Sequence, residues 1–186
     1  MTERIDAPPA APDAPLAERI ARGIRVIPDF PEPGIAFQDL CGVFGTPELL
    51  RGIAAEMAGG CAGGFDRVLA VEARGFVLGT AVALHSGRPL VLARKRGKLP
   101  GAVHAASYQL EYGSGVLEVQ RTALAAADRV LVVDDVLATG GTLAAAGELV
   151  TRAGAEVAGY AVVLAITALH GDRRLHPTPL HTLLPV

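Results

Sequence analysis

The chain has 186 residues, a formal net charge of −2 and a sequence pI near 6.2, with 51% hydrophobic and 19% charged residues. That length supports one domain with a full apolar core, and the charge balance argues against nucleic acid as a partner. The only cysteines, Cys41 and Cys61, form neither a disulfide framework nor a metal-binding pattern, and read as reduced thiols of a cytoplasmic protein.

Residues 1–15 are rich in Ala and Pro, lack periodicity and read as a flexible tail, with acids and prolines where a secretory leader needs an apolar stretch. Residues 16–186 then form a single domain. "LAERIARGI" predicts a short helix ending near Gly23. Residues 25–40 hold three prolines and a Pro-Gly turn and read as an irregular loop. Phe30, Ile35 and Phe37 in that loop imply that it packs on the body or lines a pocket. Thr46-Pro47 opens a helix to about Met57, Thr46 as its cap and Pro47 at its first position.

"RVLAVEA" reads as a strand, with a helix from about Gly75 to His85, and "RPLVLAR" as the next strand. "KRGKLPGAVHAAS" is a polar loop punctuated by Gly and Pro, and "YQLEYG" and "GVLEVQ" form a hairpin around residues 113–115. "RVLVVDD" is a strand, followed by a helix ending near Gly154, and "EVAGYAVVLAIT" is another buried strand. The apolar run 157–169 is too short to span a bilayer as a helix, so no membrane partner is expected. "PLHTLLPV" supplies a last candidate strand. Strands alternating with helices imply an α/β fold with a Rossmann-like parallel sheet, and ligands on such sheets bind beyond the carboxyl ends of the strands.

Three stretches fall at that edge. In "VVDDVLATGGT", Gly140 and Gly141 allow a tight turn, and Thr139 and Thr142 bring hydroxyls to the start of a helix. The first amides of a helix have no partner within it and carry partial positive charge, so they suit a phosphate monoester. No lysine follows the glycines and there is no G-x-G-x-x-G, which disfavours nucleoside-triphosphate and dinucleotide readings. Asp134 and Asp135 suit sugar hydroxyls and Mg²⁺. A phosphate at one end and a diol at the other describe a ribose 5-phosphate. In isolation, a strand ending in two hydrated aspartates would show the same residues.

"RKRGKLPG" gathers Arg94, Lys95, Arg96 and Lys98 within five residues, which suits a diphosphate that must be held and then released. "EARGF" puts Arg74 just past a strand, where its guanidinium can take a diphosphate in a bidentate manner. "LEYG" puts Glu111 in the hairpin, where it could exchange a proton with a base nitrogen. Taken singly, these also describe a solvated loop, a sheet-edge ion pair and an exposed strand carboxylate.

Together, "FPEPGIAFQDL", "EARGF", "RKRGKLPG", "SYQLEYG" and "VVDDVLATGGT", in this order, resemble the adenine branch of the type I phosphoribosyltransferases over about residues 26–171. The resemblance implies that family's fold, with a small hood segment and a flexible catalytic loop. It implies purine salvage: transfer of the 5-phosphoribosyl group from phosphoribosyl diphosphate (PRPP) to adenine, with Mg²⁺ as cofactor, in a homodimer. By position, Ala36, Phe37, Gln38 and Ile166 would take adenine. Asp134, Asp135, Ala138, Thr139, Gly140, Gly141 and Thr142 would take the ribose 5-phosphate. Arg74, Arg94, Lys95, Lys98 and Tyr112 would take the diphosphate. Glu111 and Arg74 would be catalytic, and Mg²⁺ would lie near Asp134 and Asp135. Gln38 departs from the arginine usual in the family. A hypoxanthine or guanine enzyme on the same fold, or a non-catalytic PRPP- or purine-sensing regulator, is the competing reading. A regulator would need no basic loop and no Glu111.

Overall fold

The computed structural model describes residues 14–109 and 114–186. Most of the expected tail, and Leu110, Glu111, Tyr112 and Gly113 of the hairpin, lie outside the described residues. The chain divides into two compact units, one ending at Gly52 and one beginning at Ile53.

The smaller unit opens with α1 (Leu16–Gly23), whose one fully buried side chain is Ile20. Two short strands follow, β1 (Arg25–Ile27) and β2 (Phe37–Asp39), paired antiparallel with Arg25 opposite Asp39 and Ile27 opposite Phe37. The stretch expected to be an irregular loop is therefore a small hairpin with a long tip. Proline density hid it, because prolines 28, 31 and 33 sit in the tip, clear of the paired residues. A short α2 (Cys41–Phe44) leads into α3 (Pro47–Gly59), which runs on into the larger unit. Leu40, Val43 and Leu49, like Ile20, are buried side chains of this unit.

The larger unit is a seven-stranded sheet in the order β5-β6-β4-β3-β7-β8-β9. Its strands are β3 (Arg67–Val71), β4 (Leu90–Lys95), β5 (Val103–Gln109), β6 (Ser114–Gln120), β7 (Arg129–Leu137), β8 (Glu156–Ala165) and β9 (Leu180–Pro185). Five of them, from β4 through β9 in spatial order, run parallel, while the β5–β6 hairpin joins antiparallel at one end. Helix α4 (Gly75–Ser86) links β3 to β4, and α5 (Gly141–Arg152) links β7 to β8. Apolar β-branched runs make β3, β7 and β8 buried on both faces, as parallel strands under two helix layers must be.

The sheet corrects two expectations. β5 starts at Val103, inside the segment read as loop, since Gly97, Pro100 and Gly101 break the chain only before that point. β7 continues through both aspartates to Leu137, so Asp134 and Asp135 lie within a strand and not at its end.

Chain order fixes where a ligand can enter. The crossover from β3 runs outward to β4, whereas that from β7 runs the opposite way to β8. With the right-handed connections that such crossovers adopt, α4 and α5 lie on opposite faces. The strand order therefore reverses between β3 and β7, and a crevice opens at their carboxyl ends.

Candidate active site

Both strands bring a charged group to that crevice. The Glu72–Ala73 peptide after β3 is cis, and Arg74 follows it as the residue capping α4. Arg74 Nε lies 2.7 Å from Asp135 Oδ2 on β7. The Asp135 side chain is 8% exposed and that oxygen has no aligned hydrogen-bond donor, so the contact is an ion pair by distance alone. Asp134 Oδ1 accepts the backbone N–H of Asp135 at 2.9 Å. Burial, and then the neighbouring Asp135 charge, push the Asp134 carboxyl well above its ordinary range, against a downward pull from Arg74. Two carboxylates held side by side inside a sheet cost stability, a mark of a site built for a ligand.

Glycine sets how closely the two strand ends approach. A Cβ on Gly75 would sit 2.9 Å from Asp134 Oδ1 and 3.0 Å from Val133 O. Any larger residue at the start of α4 would push into β7.

Beyond Leu137 the chain turns through Ala138 and Thr139 to Gly140, which is left-handed at φ 80° and precedes the first turn of α5. Gly140 and Gly141 are buried, while Ala138, Thr139 and Thr142 are half-buried. Neither threonine caps the helix; Gly140 stands at the cap position and no side chain bonds there. The amides of the first turn of α5 are thereby left for an acceptor from outside. Ile166, immediately after β8, donates its N–H to Leu137 O at 2.8 Å, which sets it beside the start of this loop.

The basic segment is a turn clamped by two acids. Glu72 Oε2 accepts the Lys95 N–H at 2.8 Å and lies 3.4 Å from Arg94 Nε. Burial raises the Glu72 carboxyl, but the Lys95 amide and the Arg94 and Lys95 charges outweigh it and hold it below the ordinary value. Arg94 Nη1 bonds Lys98 O at 2.9 Å, and Gly97 turns at φ 74°. On β6, the buried Glu118 accepts the Gly97 N–H through Oε2 at 2.8 Å. Arg94 is thus engaged in shaping the turn, while Lys95, Arg96 and Lys98 are exposed. Glu118 was not singled out in the sequence; a charged residue inside a strand otherwise reading as core was the available signal.

In the smaller unit, Phe37 stands on β2 with its ring edge-on to Phe30, centroids 5.1 Å apart. Asp29 Oδ1 holds the Gly34 N–H at 2.7 Å, and Phe30 N–H bonds Ile35 O, which closes the hairpin tip. Gln38 Nε2 reaches Ala36 O at 3.5 Å. Asp39 is held below the ordinary carboxylate value by its hydrogen bonds to Cys41 and by Arg25. Glu111 and Tyr112 lie outside the described residues.

A parallel sheet with paired aspartates at its switch point, a Gly-Gly helix start after them and a cationic turn on the same edge is the framework of an enzyme that handles a phosphorylated sugar. Residues 47–179 match the phosphoribosyl transferase domain family. The adenine phosphoribosyltransferase of Renibacterium salmoninarum is 47% identical over 173 residues, covering 93% of this chain and 95% of that protein. The crystal structure of adenine phosphoribosyltransferase from Rhodothermus marinus superposes with a TM-score of 0.86 at 44% identity, covering 92% of this chain and 98% of that one. That from Saccharomyces cerevisiae, complexed with D-2,5-dideoxy-2,5-imino-altritol 1,6-bisphosphate and adenine, gives 0.86 at 36% identity, covering 91% and 98%. The chain belongs to the adenine phosphoribosyltransferase family, within the type I phosphoribosyltransferases.

Proposed function

We propose that this enzyme converts adenine and PRPP into AMP and diphosphate. The observation that carries the reading is the Arg74–Asp135 contact across the switch point, with Asp134 beside it and the open start of α5 beyond. One site then offers acceptors for a diol, amides for a phosphate and a cation for a leaving diphosphate. The relatives named above, and the adenine in the yeast complex, support adenine as the base.

In this reading the first amides of α5 and the hydroxyls of Thr139 and Thr142 hold the 5-phosphate. Asp134 and Asp135 accept from the ribose hydroxyls. Arg74, Lys95 and Lys98 hold the diphosphate, with Arg94 keeping the turn of Lys95 and Lys98 in shape, and the family resemblance adds Tyr112. The family resemblance gives Phe37, with the main chain of Ala36 and Gln38, and separately Ile166, as the residues that would take the purine. A base read through main-chain groups tolerates Gln38 in place of arginine. The purine N9 bonds to C1 of the ribose as the bond from C1 to the diphosphate oxygen breaks, its electron pair leaving with the diphosphate. Glu111 takes the N9 proton. Holding both reactants in line supplies much of the rate, and donors aimed at the departing oxygens supply more.

Mg²⁺ fits these residues as a guest of the substrate. No group of three or more His, Cys, Asp or Glu side chains converges among the described residues, so these residues form no all-protein cage. Two carboxylates, one with an oxygen lacking a hydrogen bond, match a Mg²⁺ that takes most of its ligands from phosphates and water. Bound there, the ion would neutralise charge on the diphosphate.

The reading extends to a cytoplasmic homodimer. The free thiol at Cys61 supports the location, and no described helix is long and apolar enough to cross a membrane. Val77 and Leu84 on α4, with Leu90 and Leu92 on β4, are exposed large apolar side chains, and such patches mark subunit contacts.

The test is incubation with Mg²⁺, PRPP and, separately, adenine, hypoxanthine and guanine. AMP and diphosphate should form with adenine. Turnover of another purine alone would reassign the base, and PRPP binding without turnover of any base would make the protein a sensor.

A further inference from the structure

The loop assigned to the 5-phosphate has an unusual back wall. After β8 the chain passes through two single-turn 3-10 helices, Thr167–Leu169 and Gly171–Arg174, joined at His170, which is left-handed at φ 49°. Gly171, between exposed neighbours, is buried. A Cβ built on it would lie 2.2 Å from Ala138 O, 2.7 Å from Gly140 N and 2.9 Å from the Thr139 carbonyl carbon. The contact is reciprocal: a Cβ on Gly140 would lie 2.3 Å from Gly171 O. All of these are backbone atoms, which cannot swing aside as a long side chain can. The two segments meet main chain to main chain, with room for hydrogen alone between them.

We propose that Gly171 is a positioning residue for phosphoribosyl transfer, acting through the phosphate loop without touching substrate. The inference rests on the assignment of residues 138–142 to the 5-phosphate. Amides grip a phosphate only over a narrow range of distance, so the wall behind Ala138–Gly140 sets how far the loop stands from the ligand. The wall is itself fixed at both ends. Leu175, just beyond the second 3-10 helix, is 3% exposed in the main core cluster, and Ile166 is bonded to Leu137 O. One added methyl at residue 171 can therefore be accommodated only by a shift of main chain at this contact, the loop included. It leaves Asp134, Asp135 and Arg74, held inside the sheet and at α4, in place.

Gly171→Ala should raise the KM for PRPP about tenfold, the loss that one weakened amide–phosphate bond brings. The KM for adenine and kcat at saturating PRPP should change less than about threefold. Calorimetric binding of ribose 5-phosphate, a probe without diphosphate or base, should weaken in parallel with PRPP. Gly59→Ala, where a Cβ meets nothing within 4 Å, is the control and should match the parent enzyme. An unchanged PRPP KM overturns the inference, as does an equal loss for adenine. If Gly171→Ala does not fold, Leu175→Ala is read in its place, because it loosens the wall without adding an atom beside the loop. It should raise the PRPP KM about threefold, and an unchanged value overturns the inference. A parent enzyme that makes no AMP would instead remove the functional assignment itself.

Discussion

Arg74 and Asp135, 61 positions apart in sequence, meet at 2.7 Å across the switch point of the sheet. The cation expected to serve the diphosphate and a carboxylate expected to serve the ribose are thus partners before substrate arrives. Arg74 keeps the buried Asp135 charge from standing uncompensated.

Removing one member of that pair should cost more than removing both. Arg74→Ala leaves Asp135 buried beside Asp134 and should destabilise the fold by about 1–3 kcal/mol in urea denaturation. Adding Asp135→Asn should restore much of that stability and none of the activity. Equal stability of the parent and the single variant would contradict the pairing.

Asp134 gives a pH signature. Its carboxyl is raised in the fold by burial and by Asp135, so the folded state binds more protons than the unfolded one above the ordinary aspartate value of 3.8. Its contribution therefore declines as pH rises from about that value through the raised folded value. Asp39, Glu72 and Asp128 are lowered and act in the opposite sense, losing their contribution as pH falls. Asp134→Asn should gain stability relative to the parent as pH increases from 4 toward 7, read by melts across that range, while PRPP turnover falls at least a hundredfold. A stability difference that does not vary with pH would refute the buried, raised carboxyl.

Glu118 separates charge from hydrogen bonding. Its Oε2 receives the Gly97 N–H beneath the basic turn. Glu118→Gln keeps a carbonyl acceptor and should hold the PRPP KM within about threefold. Glu118→Ala leaves that amide without its partner and should raise the KM about tenfold. Similar values for both variants would show that the negative charge, not the hydrogen bond, is what the turn requires.

The apolar patch on α4 and β4 predicts association. Leu84 is 80% exposed and should sit within a subunit contact. Leu84→Glu should shift sedimentation from dimer to monomer at micromolar concentration. A parent chain that sediments as a monomer would dispose of the dimer.

The order of strands and helices in the larger unit could be read from the sequence because apolar runs such as 130–133 and 161–164 admit few alternatives. Motifs at the ends of β3 and β4, and within and just after β7, were equally visible, because Gly, Arg and paired Asp stand out against those runs. What escaped depends on contacts between distant segments. No local pattern couples Glu118 to Gly97, or Arg74 to Asp135. Gly171 reads in sequence as an ordinary loop glycine, and only its contact with Ala138 and Gly140 sets it apart. The β1–β2 hairpin was missed for a local reason: its paired stretches are only three residues long, too short for alternation to register.

The position of β7 in the sheet also bears on how the chain is made. β3 and β4 are neighbours and can pair as soon as α4 between them is complete. The other edge of β3 waits for β7, which the ribosome delivers only after everything from Glu72 to Asp128. Throughout that interval an apolar strand with unpaired amides and carbonyls lies open to any other extended chain. An incomplete chain therefore carries that open edge until residue 137 has emerged, a hazard for aggregation during synthesis. The strand that brings in the two aspartates is also the one that closes this exposed edge.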